Sequence, residues 1–110
     1  NAADIKLKKD YGNAQVAMTK KNESLKGIKK QIIFQQDQLK QLQNDRIYFK
    51  RQEMEHLRKG QGIPAVLKST LDNNQKNIKE RKDNIEVLQS YYRNTQTKYD
   101  NIITRLKTLE

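Results

Sequence analysis

One 3-4 spacing of apolar residues runs unbroken through the second half of the chain: Leu67, Leu71, Ile78, Ile85, Leu88, Tyr92, Tyr99, Ile102, Leu106 and Leu109. Thirteen positions of this frame lie between residues 67 and 109, and ten are apolar or aromatic; Asn74, Arg81 and Thr95 are the exceptions. Six heptads held in one register predict a long helix with a single packing seam, and an alternating strand pattern does not fit. So narrow a stripe has to be covered by another like it.

The first half supplies the second stripe. Leu7, Tyr11, Ala14, Met18, Lys21, Leu25, Ile28, Ile32, Gln35, Leu39 and Leu42 follow the same spacing, and nine of these eleven can pack. Beyond Leu42 the frame is expected to slip by one residue, to Ile47, Met54 and Leu57, with an irregularity near residues 43–47. Between the two stripes lies Gly60-Gln-Gly-Ile-Pro64, the strongest break in the chain. Gly60 suits the left-handed position past a helix C-terminus, and Pro64 suits the first turn of the next helix. Arg58 and Lys59 suit the negative end of the helix dipole.

If the chain doubles back near residue 62, seam residues whose numbers add to about 124 face each other. Leu57 then meets Leu67, Met54 meets Leu71, Ile47 meets Ile78 and Leu39 meets Ile85. Polar residues also coincide, Lys50 with Asn74 and Gln43 with Arg81. The fold expected is all-α: a long antiparallel two-helix coiled-coil hairpin, each arm about 65–70 Å long. Residues 1–13 form an N-terminal overhang prone to fraying, 14–59 helix 1, 60–64 the tip loop and 65–110 helix 2. A single parallel homodimer would need the break bridged, and proline inside a helix costs about 3 kcal/mol or more. The chain begins at Asn1 and is expected to be a processed form or a segment of a larger protein, with one domain.

Composition narrows the function. Apolar residues are 34% and charged residues 33%, with no cysteine or tryptophan. That excludes a disulfide scaffold and a cysteine zinc site, and no run is long enough to span a membrane. A single histidine and no glycine-rich phosphate loop argue against an enzyme, and no cofactor is expected. Glu53-Met-Glu-His56 has the Glu-x-x-His spacing of di-iron bundles, but a full site needs two such motifs and two further carboxylates. A solvated histidine is the expectation.

Several apolar residues lie outside the seam: Ile33, Phe34, Tyr48 and Phe49 on the first arm, and Val87, Tyr91 and Ile103 on the second. An isolated hairpin would leave them wet. Burying them favours self-association, most simply a homodimer forming a four-helix assembly, or docking on a protein complex. The tip carries His56, Arg58, Lys59, Gln61 and Lys68 around Ile63, a candidate contact for a partner.

The net charge is +10, shared equally between the halves of the chain. Its densest clusters are Lys20, Lys21, Lys26, Lys29 and Lys30, then Lys76, Lys79, Arg81 and Lys82. Such faces can follow a phosphate backbone with salt-sensitive, sequence-blind affinity. They are also where a coiled coil places solubilising charge. The leading expectation is a non-catalytic stalk or assembly module acting through its apolar strip and tip. A nonspecific nucleic-acid or polyanion binder is the alternative. In length, basic charge and mid-chain turn the chain resembles helical-hairpin proteins such as the stalk proteins of flagellar and type III export gates, the receptor-binding hairpins of colicins and the tRNA-binding arm of seryl-tRNA synthetases. No shared motif carries a functional residue across.

Overall fold

A computed structural model describes all 110 residues and contains three helices: α1 (Ala2–Tyr11), α2 (Ala14–Arg58) and α3 (Ala65–Leu109). The protein is all-α, with α2 packed antiparallel against α3 as a helical hairpin. No helix is long and apolar enough to cross a membrane. The chain divides into two compact units, a terminal unit of residues 1–32 and 87–110 and a turn unit of residues 33–86.

Each helix boundary has a local cause. Asn1 caps α1, its side chain accepting from the Asp4 N–H at 2.9 Å. Gly12 ends α1 at φ +82°, and its N–H returns to the Lys8 carbonyl at 2.8 Å. Asn13 then starts α2: its side-chain oxygen accepts from the Val16 N–H at 3.0 Å, a cap worth about 1 kcal/mol. At the other end of α2, the Gly60 N–H bonds the Leu57 carbonyl and the Gln61 N–H bonds the His56 carbonyl, at 3.0 and 2.9 Å. This reciprocal pair, with Gly60 at φ +69°, is a Schellman ending. The Pro64 carbonyl accepts the first bond of α3, from the Lys68 N–H at 3.1 Å.

The terminal unit is built on small residues. Ala14, Ala17, Ile103 and Leu106 form its buried cluster, with Leu7, Tyr11 and Ile102 packed on it. Ala17 is wholly buried and Leu106 is 1% exposed. Residues 2–11 are therefore not a frayed overhang. They form a helix that lies against the ends of α2 and α3. Arg105 grips Asp4 with two parallel bonds of 2.8 and 2.7 Å, and the Tyr11 and Tyr99 rings meet edge to face at 6.2 Å. The Glu110 side chain accepts from the Ala14 N–H at 2.9 Å. This third helix explains two departures from the two-stripe reading: Ile103, which lies off the seam, is buried, and Met18, which lies on it, is 37% exposed beside buried Ala17.

In the turn unit the frame of α2 does not slip. The helix runs without a break from Ala14 to Arg58. The residues that turn toward α3 beyond Leu42 are Arg46, Phe49, Glu53 and His56, all half-buried, which continue the original spacing. Ile47, Met54 and Leu57 face away and are 53–66% exposed. The physical reason is continuity. A one-residue slip needs the supercoil to be locally rewound, whereas the original frame carries on at the cost of admitting polar side chains to the seam.

Those polar side chains are satisfied. Asn74, only 6% exposed, donates to the Leu42 carbonyl at 2.9 Å. Its side-chain oxygen accepts from Arg46 at 3.3 Å, and the same guanidinium reaches the Leu71 carbonyl at 3.4 Å and Gln75 at 2.9 Å. Arg81 donates to Gln35 at 2.9 Å. Asn74 is thus met by Arg46, one helical turn before the expected Lys50, and Arg81 by Gln35, two turns before Gln43. No buried side-chain nitrogen or oxygen lacks a partner. Polar groups that bond in only one alignment specify register, because any shift would leave them buried and unpaired.

Candidate interaction surfaces

Exposed apolar side chains occur in both units and are most closely spaced between residues 47 and 66. Ile47, Tyr48, Met54, Leu57 and Val66 are all more than half exposed within twenty residues of sequence, with Val66 at 78%. On α2, Ile47, Met54 and Leu57 follow the helical spacing that puts residues on one face. Lys50, Arg51 and Arg58 are exposed among them. An open hollow on this face is lined by Arg51, Met54, Glu55, Leu57 and Arg58. Glu55 is engaged by Arg58 and, at 3.6 Å, by Lys59. The hydrogen bonds from Arg58 are the main cause that holds its carboxyl below the usual range.

A second cleft opens at the turn, lined by Phe49, His56, Pro64, Val66, Leu67 and Thr70 among others. Of these, Leu67 is buried. Phe49, expected outside the seam, is half-buried here, its ring edge-on to Tyr48 at 5.7 Å.

Of the other residues expected to mediate self-association, Ile33, Phe34 and Tyr48 are exposed in the turn unit, and Val87 and Tyr91 in the terminal unit. Of the tip residues, Arg58, Lys59, Gln61 and Lys68 are exposed, while Ile63 and His56 are half-buried. His56 Nδ1 lies 3.2 Å from the Gln61 side-chain oxygen, across the Schellman turn. Glu53 accepts an ion pair from Lys50 at 3.0 Å, so the Glu-x-x-His residues are each committed to a neighbour.

The lysine clusters divide in two. Lys26, Lys29 and Lys30 are exposed on one face of α2, and Lys76 and Lys82 are exposed on α3. Three others are tied down. Lys20 reaches the Asp10 carbonyl at 3.3 Å and sits 5.1 Å from the Tyr11 ring centre. Lys21 is half-buried and paired with Asp100, and Lys79 pairs with Asp83 at 3.3 Å. These three fasten one helix to another or brace a single turn.

The sequence does not show the face made by Ile47, Met54 and Leu57, because their spacing also fits a slipped seam. The signal available was the unbroken frame through Arg46, Phe49, Glu53 and His56. No protein-family model, curated protein or solved structure matches this chain.

Proposed function

We propose that this protein is a non-catalytic assembly module, a helical hairpin that joins other protein chains through apolar side chains held outside its own seam. The observation that carries this reading is the inversion in the turn unit: Arg46, Glu53, His56 and Asn74 occupy the seam while Ile47, Met54, Leu57 and Val66 face solvent. Burying a large apolar side chain is worth about 1.5–3 kcal/mol. Leaving four of them outward over so short a stretch makes sense where another surface covers them.

Self-association is the first form of assembly to test. Sedimentation equilibrium at tens of micromolar is expected to give a mass above that of one chain, and the Phe34→Asp, Tyr91→Asp double variant is expected to return it to the monomer. A clean monomer for the unaltered chain, or an unchanged mass for the variant, removes self-association through these residues.

Polyanion binding is the second reading, favoured by the exposed Lys26, Lys29 and Lys30. Mobility shifts with duplex DNA and RNA across a salt series test it. A steep loss of binding with salt supports it, and no binding in low salt removes it.

A further inference from the structure

We infer that the α2 face of the turn unit formed by Ile47, Met54 and Leu57 is the docking site for an acidic amphipathic helix of another protein. The inference rests on reading the chain as an assembly module, and it names the partner's chemistry.

The face has the form of a helix-recognition seam. Ile47, Met54 and Leu57 span about three turns at i, i+7 and i+10 on one helix face, with Lys50 and Arg51 on the turn between Ile47 and Met54. All three are 53–66% exposed. Methionine suits such a surface, since its unbranched thioether adapts to the side chains laid against it.

Charge selects among occupants. Lys50 and Arg58 stand on the same face, paired within the helix to Glu53 and Glu55, and Arg51 between them has no carboxylate within ion-pairing distance. Glu55, the one acid lining the hollow, is already held by Arg58 and Lys59. A second copy laid on this face would set the unpaired Arg51 against its own counterpart, in a chain of net charge +10. An apolar stripe flanked by Glu or Asp meets it with the opposite sign. Complementary potential of this kind raises the encounter rate and rejects like-charged partners.

The same chain shows how such a face is covered. In the terminal unit α1 lies over Ala17, Ile103 and Leu106 and is fixed by Arg105 gripping Asp4, an apolar contact locked by one carboxylate on one guanidinium. The turn unit presents the apolar residues and the guanidinium Arg51, and has no third helix.

The test is fluorescence anisotropy of a labelled synthetic helix titrated with the full chain. The probe is an amphipathic peptide about three heptads long with Leu at the a and d positions and Glu at the flanking ones. Its twin carries Lys for Glu. The acidic peptide is expected to bind at least about tenfold tighter than the twin. Met54→Asp and Arg51→Glu are each expected to weaken it by about tenfold, while Ile5→Asp on α1 leaves it unchanged. Both target residues are exposed, so retained helical circular dichroism is expected for both variants.

Equal binding of the two peptides overturns the inference, as does a folded Met54→Asp chain that binds unchanged. A dimer that Met54→Asp dissolves also overturns it, by giving the face to a second copy while leaving the assembly reading intact. Capture on phosphatidylserine vesicles that Met54→Asp abolishes, with no binding of the acidic peptide, gives the face to a membrane and overturns both.

Discussion

The terminal and turn units are built from the same two helices, and they solve the packing problem in opposite ways. In the terminal unit, small side chains at Ala14 and Ala17 admit a third helix, and Ile103 and Leu106 are buried beneath it. In the turn unit two helices pair alone, the seam carries Arg46, Glu53, His56 and Asn74 beside buried Leu67, Leu71 and Ile85, and Ile47, Met54 and Leu57 face outward. The terminal unit obtains its cohesion from burial. The turn unit adds to its buried leucines a set of hydrogen bonds whose donors and acceptors match in one register. Apolar spacing along a helix therefore says that a face will be covered, without saying which element covers it.

The largest effect expected from this contrast is on stability. Leu106→Ala removes a side chain that is 1% exposed inside the terminal cluster, and is expected to cost about 2–4 kcal/mol in urea denaturation. Leu57→Ala, at a site 59% exposed, is expected to change stability by no more than about 0.5 kcal/mol. Similar losses for the two would erase the distinction between the units and return Leu57 to the seam.

Next is the polar seam. Asn74→Ala removes the second donor, across the seam, of the Leu42 carbonyl and one acceptor of Arg46, an expected cost of about 1–2 kcal/mol. The double variant Arg46→Leu, Asn74→Leu removes both sides of the interaction. It is expected to recover that stability or exceed it, because apolar replacement of a paired buried polar group is often neutral or stabilising. Its cost is alignment: spin labels at residues 39 and 85, narrowly distributed in the parent chain, are expected to broaden in the double variant. A distribution as narrow as the parent's would show that apolar packing sets the register and the Arg46–Asn74 bond does not.

The two units also differ in how far their sequences could be read. The hairpin was legible because the α3 frame is unbroken and because Gly60 and Pro64 are the residues that a helix exit and entry require. The register of the turn unit was not. Arg46, Glu53 and His56 resemble surface residues, and the apolar Ile47, Met54 and Leu57 stand one position on, imitating a slipped seam. The unbroken helix keeps the polar residues inward, and the bonds of Asn74 to Leu42 and Arg46 satisfy two of them. In the terminal unit the difficulty was different. Leu7 and Tyr11 stand in the same frame as α2, so they extend its stripe, although Gly12 followed by Asn13 has the chemistry of one helix ending and another starting. Ile103 then looked like a stray apolar residue, because the helix that covers it had not been separated from α2. Of the candidate surfaces, the outward aromatic residues were readable from their position off the seam. The Met54 face was hidden by the misplaced register.

The smallest expected effect is of pH, and it too separates the units. The Asp4 carboxyl is held below its usual range, first by the hydrogen bonds from Arg105 and further by the positive charge of that guanidinium. The folded chain therefore binds fewer protons than the unfolded chain as the solution is acidified. The Asp4–Arg105 contribution is complete above the unfolded carboxylate range, near pH 4, and is lost as pH falls through the depressed folded value. Hydrogen exchange at residues 2–11 is thus expected to accelerate in acid relative to the Asp4→Asn variant, in which that dependence disappears. The turn unit has no comparable acid-sensitive fastening between its helices. Arg46 and Arg81 donate to backbone carbonyls and to the side chains of Asn74, Gln75 and Gln35, none of which titrates in acid. Glu55, whose carboxyl is also lowered, pairs with Arg58 within the last turn of α2, so its protonation loosens one helix end and not the seam. Acid should therefore release α1 while the spin-label distance between residues 39 and 85 stays as it was. Simultaneous loss of both would mean that the turn unit depends on the terminal unit for its alignment, and the hydrogen-bonded seam would then be a consequence of the register, not its cause.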